Sequence, residues 1–452
     1  MKRKNTIRLL SALLVLCAAV SLAACGGNNN NNTTTAAQQT TAAAAPTTAA
    51  PVVNTPVVIK YPSFQVGVNS SAGVLKKNLE VFEAKYGDRI KIEVEEIPGD
   101  QAYVDKMKIL LSANDLPDLV YAGGYNLLDM SLEKGDTVVD LTPYLDADPA
   151  WKSSFDQITL DFNSRDGKVY SLPDEKGLMG YYYNKELFAQ AGVEPAKTWD
   201  EFFEICDKLL AAGITPVSMD TDDSAWLTNL WLSSMLGVTA KGGEFLTITN
   251  PTDYNFPEMI DALTKTQRMF MEYSTKDAVG GKYENGANNF LSGNTAMIAN
   301  GPWMSEDFAD TTKTTADFID KVGVALYPEG GIMNSPMLGY FVASKDKVHA
   351  DATVEALKFF TSEEAELNGL EMIGRIPAST KVVISDAVKA DNALLGSLLE
   401  LLPQATYEYN YYQALWYQNV LDAITSYYPD FARGNITPAD MAQILTDTAS
   451  QN

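Results

Sequence analysis

An α/β fold is predicted by three observations. Strand-like and helix-like patterns alternate from residue 57 to residue 121, which calls for sheet strands joined by helical crossovers. The chain has 452 residues, enough for two to three domains or lobes at roughly 100–200 residues each. It has only three cysteines and one histidine, so an apolar core must hold it together, without a disulfide framework or a Cys-rich zinc site.

The N-terminus comes first. Residues 1–8 carry Lys2, Arg3, Lys4 and Arg8, and Leu9–Ala19 is apolar. That run is too short for a permanent membrane span. Leu22-Ala23-Ala24-Cys25 then resembles a bacterial lipobox, which makes residues 1–24 a cleaved leader and Cys25 the acylated first residue of the mature chain. Residues 25–56 hold Gly, a run of Asn, then Thr, Ala, Gln and Pro, with no charge and little to bury. Folding cannot offset chain entropy in such a segment, and it is expected to be a disordered tether. As a flexible coil it would span about 30 Å on average, and roughly 105–115 Å at full stretch.

The globular part follows. Val57–Tyr61 reads as a strand. Val74, Leu75, Leu79, Phe82 and Tyr86 recur at helical spacing, and Ile90–Val94 alternates as a half-buried strand. A helix over about 101–113 leads into a strand at Pro117–Tyr121. This order predicts a parallel sheet, whose ligands gather at the carboxyl ends of strands. The loops Phe64–Ser71 and Ala122–Asn126 are therefore candidates. Further on, Thr198-Trp-Asp-Glu201 forms a capping-box pattern. The helix after it places Trp199, Phe202, Phe203, Cys206, Leu209 and Leu210 on one face, and Gly213 is a stop. Cys206 reads as core. Ile214–Ser218 and Thr295–Ala299 read as strands.

Charge excludes some classes. There are 34 Lys+Arg and 58 Asp+Glu, a net charge of −24. Without residues 1–24, which hold four bases and no acid, it is −28. Binding to nucleic acid needs the opposite field, and so does attraction to anionic lipid. No GxxxxGK[ST] loop occurs, so the chain has no such nucleotide site. His349 lies in a polar helix start and reads as solvated. The Asp220-Thr-Asp222-Asp223 stretch lacks the Gly and Glu of a calcium loop, which fall at Ala225 and Trp231. No cofactor or metal is expected.

The segments Gly167–Pro173, Tyr181–Gly192, Thr198–Phe202 and Leu209–Val217 ("GKVYSLP", "YYYNKELFAQAG", "TWDEF", "LLAAGITPV") together resemble the extracellular solute-binding proteins of ABC importers. The similarity is to the carbohydrate branch, which includes maltose-binding protein and multiple-sugar-binding lipoproteins. Phe290–Trp303, Gly339–Ser362 and Ile436–Asp447 fit the same pattern, so the resemblance spans nearly all of 57–452. It implies a two-lobe fold with hinge strands and an interlobe ligand cleft. Lobe 1 would hold 57–175 and 338–380, and lobe 2 would hold 176–337 and 381–452. It also implies a non-catalytic, monomeric capture subunit that takes a carbohydrate to ABC permease subunits, anchored at the outer face of the cell membrane by lipidated Cys25.

Sugars present weakly apolar C–H faces and hydroxyl rims, so their sites combine aromatic platforms with planar polar groups. By the resemblance, Trp303 and Trp416 take stacking roles and Trp226 is a third aromatic contact, while Trp231 is core. Lobe 1 departs from the maltose pattern: the loop after "PDLVY" carries Tyr125 and Asn126, and Gly177 stands where an acidic residue is expected. Gln65, Asn69, Tyr125, Asn126, Asp174, Glu175 and Tyr340 are the candidate lobe 1 contacts, with Asp223 opposite. Apart from Lys176 these loops are nearly free of bases, which favours a neutral oligosaccharide over an acidic sugar or phosphate ester. A secreted glycoside hydrolase, which needs a carboxylate pair, and a surface adhesin without a closable cleft are the competing readings.

Overall fold

A computed structural model describes residues 55–452, apart from 124, 136–137 and 345. The leader, Cys25 and the tether up to residue 54 lie outside the described residues. Among the described residues, no helix is long and apolar enough to cross a membrane.

Two sheet systems organise the chain. In the first lobe β1 (Val57–Ser63) pairs in parallel with β2 (Ile90–Glu96), through the helix Ala72–Tyr86. The next strand, β3 (Leu119–Tyr121), does not extend this ladder. Instead, the amide of Lys60 in β1 donates to the Asp118 carboxylate, 2.9 Å away, just ahead of β3. A two-residue turn at Asp166 and Gly167, both at positive φ, joins the short strands β4 (Ser164–Arg165) and β5 (Lys168–Val169). That is the mirror-image turn that tight hairpins favour. β3 and β6 (Ser171–Leu172) then flank β12 (Tyr340–Val342), both antiparallel to it. The expectation of a wholly parallel first sheet is thus corrected: a strand that returns from far along the chain enters with the opposite sense.

In the second lobe β7 (Gly177–Asn184) is central. One edge of it pairs with β9 (Thr295–Asn300), and β8 (Thr215–Val217) extends the sheet parallel to β9. The other edge is shared by β11 (Gly331–Ser335) and β10 (Val322–Ala325), with β13 (Tyr407–Tyr409) beyond β11. β7 reads "GLMGYYYN" and is buried nearly throughout, as a strand covered on both faces must be.

Each sheet has its own core. Ile59, Tyr61, Phe82, Leu119, Val342, Leu357 and Phe360 cluster around the first. Tyr181, Phe202, Cys206, Val217, Trp231 and Met297 cluster around the second. The helix Trp199–Ala211 buries its predicted face except for Leu210, which is exposed. Thr198 accepts from the amide of Glu201 at 3.2 Å, whereas the Glu201 carboxylate takes the amide of Lys197 and not that of Thr198. The cap is therefore half the expected box.

The chain crosses between the lobes at Pro173–Lys176 and returns at Pro336–Gly339. The two crossings touch backbone to backbone. A Cβ placed on Gly339 would lie 1.9 Å from the Leu172 carbonyl oxygen and 2.3 Å from Pro173 Cα. Residues 374–385 cross once more, after the helix Lys347–Phe360 has covered the first sheet and the helix Glu363–Ile373 has packed on the helix Ala72–Tyr86.

Candidate functional site

The lobes meet along a seam. On the lobe 1 side, Pro98-Gly99 turns the chain into the helix Asp100–Ser112, and the loop after β3 brings in Tyr125. The Tyr125 hydroxyl donates to Asp100 Oδ2 at 2.6 Å. Phe64, from the loop after β1, packs against Tyr103, Tyr121 and Tyr125 with ring centroids 5.3–6.2 Å away. Gln65 is buried beside it, its amide bonded to Ser63 Oγ at 3.1 Å.

On the lobe 2 side, Trp226 and Trp303 are half-buried with centroids 6.0 Å apart, and Tyr411 meets Trp226 edge-on at 4.8 Å. The turn in Asn300-Gly-Pro-Trp303 explains the placement. The Trp303 ring folds back over Gly301, where a Cβ would lie only 2.2 Å from its ring carbons. Trp226 Nε1 donates to Asn300 Oδ1 at 3.3 Å, and Asn300 Nδ2 reaches the Tyr283 hydroxyl at 3.1 Å. The loop between β8 and Trp226 is backbone-strained: Asp223 and Ala225 sit at φ 59° and 50°. Such strain collects at functional sites.

The seam is acidic. Burial, with the nearby charges of Asp223 and Glu284, pushes the Asp100 carboxyl up to about 6. Asp223 is raised as well, mainly by burial. Asp220 is pushed up to about 7 by burial and holds the amides of Leu227 and Thr228 at the start of the helix Trp226–Gly237. Among the described residues, no group of three or more His, Cys, Asp and Glu is placed to hold a metal ion.

A buried ionic cluster sits at the crossings. Arg375 Nη1 donates to Asp174 Oδ2 and Nη2 to Ser71 Oγ, both at 2.8 Å, while Nε lies 3.4 Å from Glu175. Glu175 accepts from the Tyr121 hydroxyl at 2.9 Å, and Asp174 from the Tyr340 hydroxyl at 3.4 Å. Burial works against the Arg375 charge, but Glu175 and Asp174 outweigh it and hold its pKa above the ordinary value. Tyr121 and Phe64 join this cluster to the seam.

The structure sets Trp226 beside Trp303, and Tyr125 and Asp223 beside Asp100; Gln65 is buried next to Phe64, and Asp174 and Glu175 are bound in the Arg375 cluster. Other candidates lie elsewhere. Trp416 is fully buried and stacked on Tyr412 at 3.8 Å, with Tyr254 and Phe245 against its edges. Both the stacking face and the surround are filled by protein, so this ring is core and not a platform. Tyr340 is buried and stacked on Phe360 beneath the site, not on its rim. Asn126 is buried too: its Nδ2 donates to the Trp416 carbonyl at 2.7 Å and to Asn250 Oδ1 at 2.9 Å. Asn69 accepts from the amide of Ser71 and shapes the turn before the helix Ala72–Tyr86.

Three seam and hinge residues escaped sequence reasoning: Asp100, Tyr411 and Arg375. Arg375 had a signal, a lone base in the otherwise uncharged Ile373-Gly-Arg-Ile-Pro-Ala378, just past a helix that ends at a left-handed Gly374.

Known proteins share this build. A chitin oligosaccharide binding protein superposes with a TM-score of 0.77 at 23% identity, covering 88% of this chain and 98% of that one. A Streptococcus pneumoniae solute-binding protein in complex with the blood group A-trisaccharide gives 0.73 at 22% identity, covering 87% and 99%. In sequence, the arabinooligosaccharide-binding protein of Bacillus subtilis (strain 168) is 26% identical over 327 residues, 69% of this chain and 71% of that protein. A model of the bacterial extracellular solute-binding proteins matches residues 61–367, well over half of the chain, and this chain therefore belongs to that family.

Proposed function

We propose that the chain captures a neutral oligosaccharide between its lobes and delivers it to the permease of an ABC importer, as a monomer held outside the membrane by lipidated Cys25. The observation that carries the ligand class is the half-buried pair Trp226 and Trp303, held from behind by buried Tyr411 and Asn300, with the carboxylates of Asp100 and Asp223 at the same seam. Apolar ring faces beside planar acceptors fit a sugar's C–H face and its hydroxyls. Relatives named for arabinooligosaccharides and multiple sugars support the class. Charge supports neutrality. Lys176 is paired with Asp156, and the Arg375 guanidinium faces two carboxylates. Neither base is left to meet an anionic ligand.

Thermal shift across neutral, uronic and phosphorylated oligosaccharides tests the reading. A ligand at 100 times its Kd stabilises by about 2.7 kcal/mol. Stabilisation by neutral sugars alone is expected, and stabilisation only by anionic ones overturns it. The raised Asp100 carboxyl opposite Asp223 is also what a glycoside hydrolase would use as its acid. Product release should therefore be assayed with the same panel, and turnover would replace the capture reading. For the anchor, Cys25→Ala is expected to move the protein from the membrane fraction to the medium. Continued membrane attachment after leader cleavage would refute it.

A further inference from the structure

The helix Asp100–Ser112 begins without a cap of its own. Its N-cap is Gly99, at φ 98°, which supplies no side-chain acceptor. The first amides of a helix need outside partners. Here one comes from the other lobe: Asp223 Oδ1 accepts from the amide of Gln101 at 3.0 Å. Two turns later on the same helix, about 10 Å along its axis, Lys108 Nζ bonds both carboxylate oxygens of Asp422 at 2.8 Å. Asp422 is oriented by Gln418 Nε2 at 3.0 Å, in the lobe 2 helix Gln418–Ala432. Two carboxylates from separate lobe 2 elements thus grip one lobe 1 helix, at its N-terminus and two turns further along.

We propose that Asp223 and the Lys108–Asp422 pair form a closure latch, which holds the lobes together by completing a helix that lobe 1 leaves uncapped. The helix is the reading element. Its amide end is satisfied by Asp223 only when the lobes meet, and its lysine is paired with lobe 2 only in that arrangement. A carboxylate at a helix N-terminus gains from both the hydrogen bond and the helix dipole. The Lys108–Asp422 pair is partly exposed, at 23% and 45%, so it is the weaker and more salt-sensitive half. The latch sets how readily the lobes close whatever lies between them.

Single-molecule distance measurement on the full mature chain tests this, with dyes on exposed Ile158 of lobe 1 and exposed Met271 of lobe 2. No sugar is added, so the result is independent of the ligand reading. Asp223→Ala should lower the closed-to-open ratio roughly three- to ten-fold, while Asp223→Asn, itself a good cap, should keep it near wild type. Asp422→Lys should lower it roughly two- to five-fold, and adding Lys108→Asp to that variant should restore it. Added salt should lower the ratio in the wild type and raise it in Asp422→Lys, where it screens the repulsion between two ammonium groups. If Asp223→Ala does not fold, the reversal and its swap decide alone. An unchanged ratio in folded Asp223→Ala and Asp422→Lys overturns the latch, and so does a wild-type chain with no closed population.

Discussion

Trp303 and Trp416 each close a short segment of the chain, yet their rings meet different neighbours. Trp303 folds over Gly301 and remains half-buried beside Trp226, whereas Trp416 is enclosed by Tyr412, Tyr254 and Phe245. Removing Trp303 should therefore leave the melting temperature nearly unchanged and weaken sugar binding about ten- to a hundred-fold, from roughly 60–100 Å² of lost stacking. Trp416→Ala should cost about 3–5 kcal/mol of folding stability. Melting curves and sugar titrations of both variants check this, and the reverse pattern would exchange the two roles. Arg375 offers a second contrast. Truncation to Ala strands Asp174 and Glu175 in the interior and should cost about 3–5 kcal/mol. Arg375→Lys should not rescue it, because one ammonium cannot reach Asp174, Glu175 and Ser71 together. A denaturant titration in which Lys restores full stability would disprove the need for the guanidinium fork.

At the scale of elements, the crossings are the least forgiving place. Gly339 lies against Leu172 and Pro173, and its carbonyl accepts from the amide of Ala122 at 2.9 Å. Because both obstacles are backbone, a methyl group there must push two crossing segments apart. Gly339→Ala should destabilise by about 1–3 kcal/mol, and a melting temperature equal to wild type would show that the crossings are slack. Nothing in the sequence around Gly339 announces this contact, since the partner lies some 165 residues earlier. The same limit explains what could and could not be read. β1, β2, β8, β9 and the amphipathic helices carry local periodicity and were legible. The pairing of β3 with β12 was not, because it depends on a strand from far along the chain. At the site, Trp226 and Trp303 became candidates through the family resemblance, and the structure sets their half-buried rings side by side. Trp416 could not be sorted, because only the packing of Tyr254 and Tyr412 shows that its face is taken. Asp100 became visible only when the fold set it opposite Asp223.

For the molecule as a whole, buried carboxylates should shape the pH response. Asp220 is pushed up to about 7, and Asp100 and Asp174 to about 6, in each case chiefly by burial. The unfolded chain releases these protons near 3.9. Between roughly pH 4 and 7 the folded state therefore holds more protons than the unfolded one, and stability falls as pH rises through that window. Asp148, Asp156 and Asp351 are shifted the other way, below the ordinary carboxylate value, by lysine partners, caps and hydroxyl donors. Their contribution is present above that value and is lost below it, so it bends the profile only at more acid pH. The two sets act in separate windows, and the melting temperature should climb on acidification from pH 8, by on the order of 5 °C, to a maximum near pH 4–5. The surplus of acidic residues adds self-repulsion with the same sign. Salt distinguishes the two causes: it screens repulsion between surface charges but leaves the burial of Asp220 and Asp100 untouched. Scans in low and high salt should therefore keep most of the slope, and Asp220→Asn, whose one side-chain oxygen can still accept from the amide of Thr228, should reduce it. A melting temperature that rises toward pH 8, or a slope that vanishes in high salt, would show that these carboxylates are not held out of water.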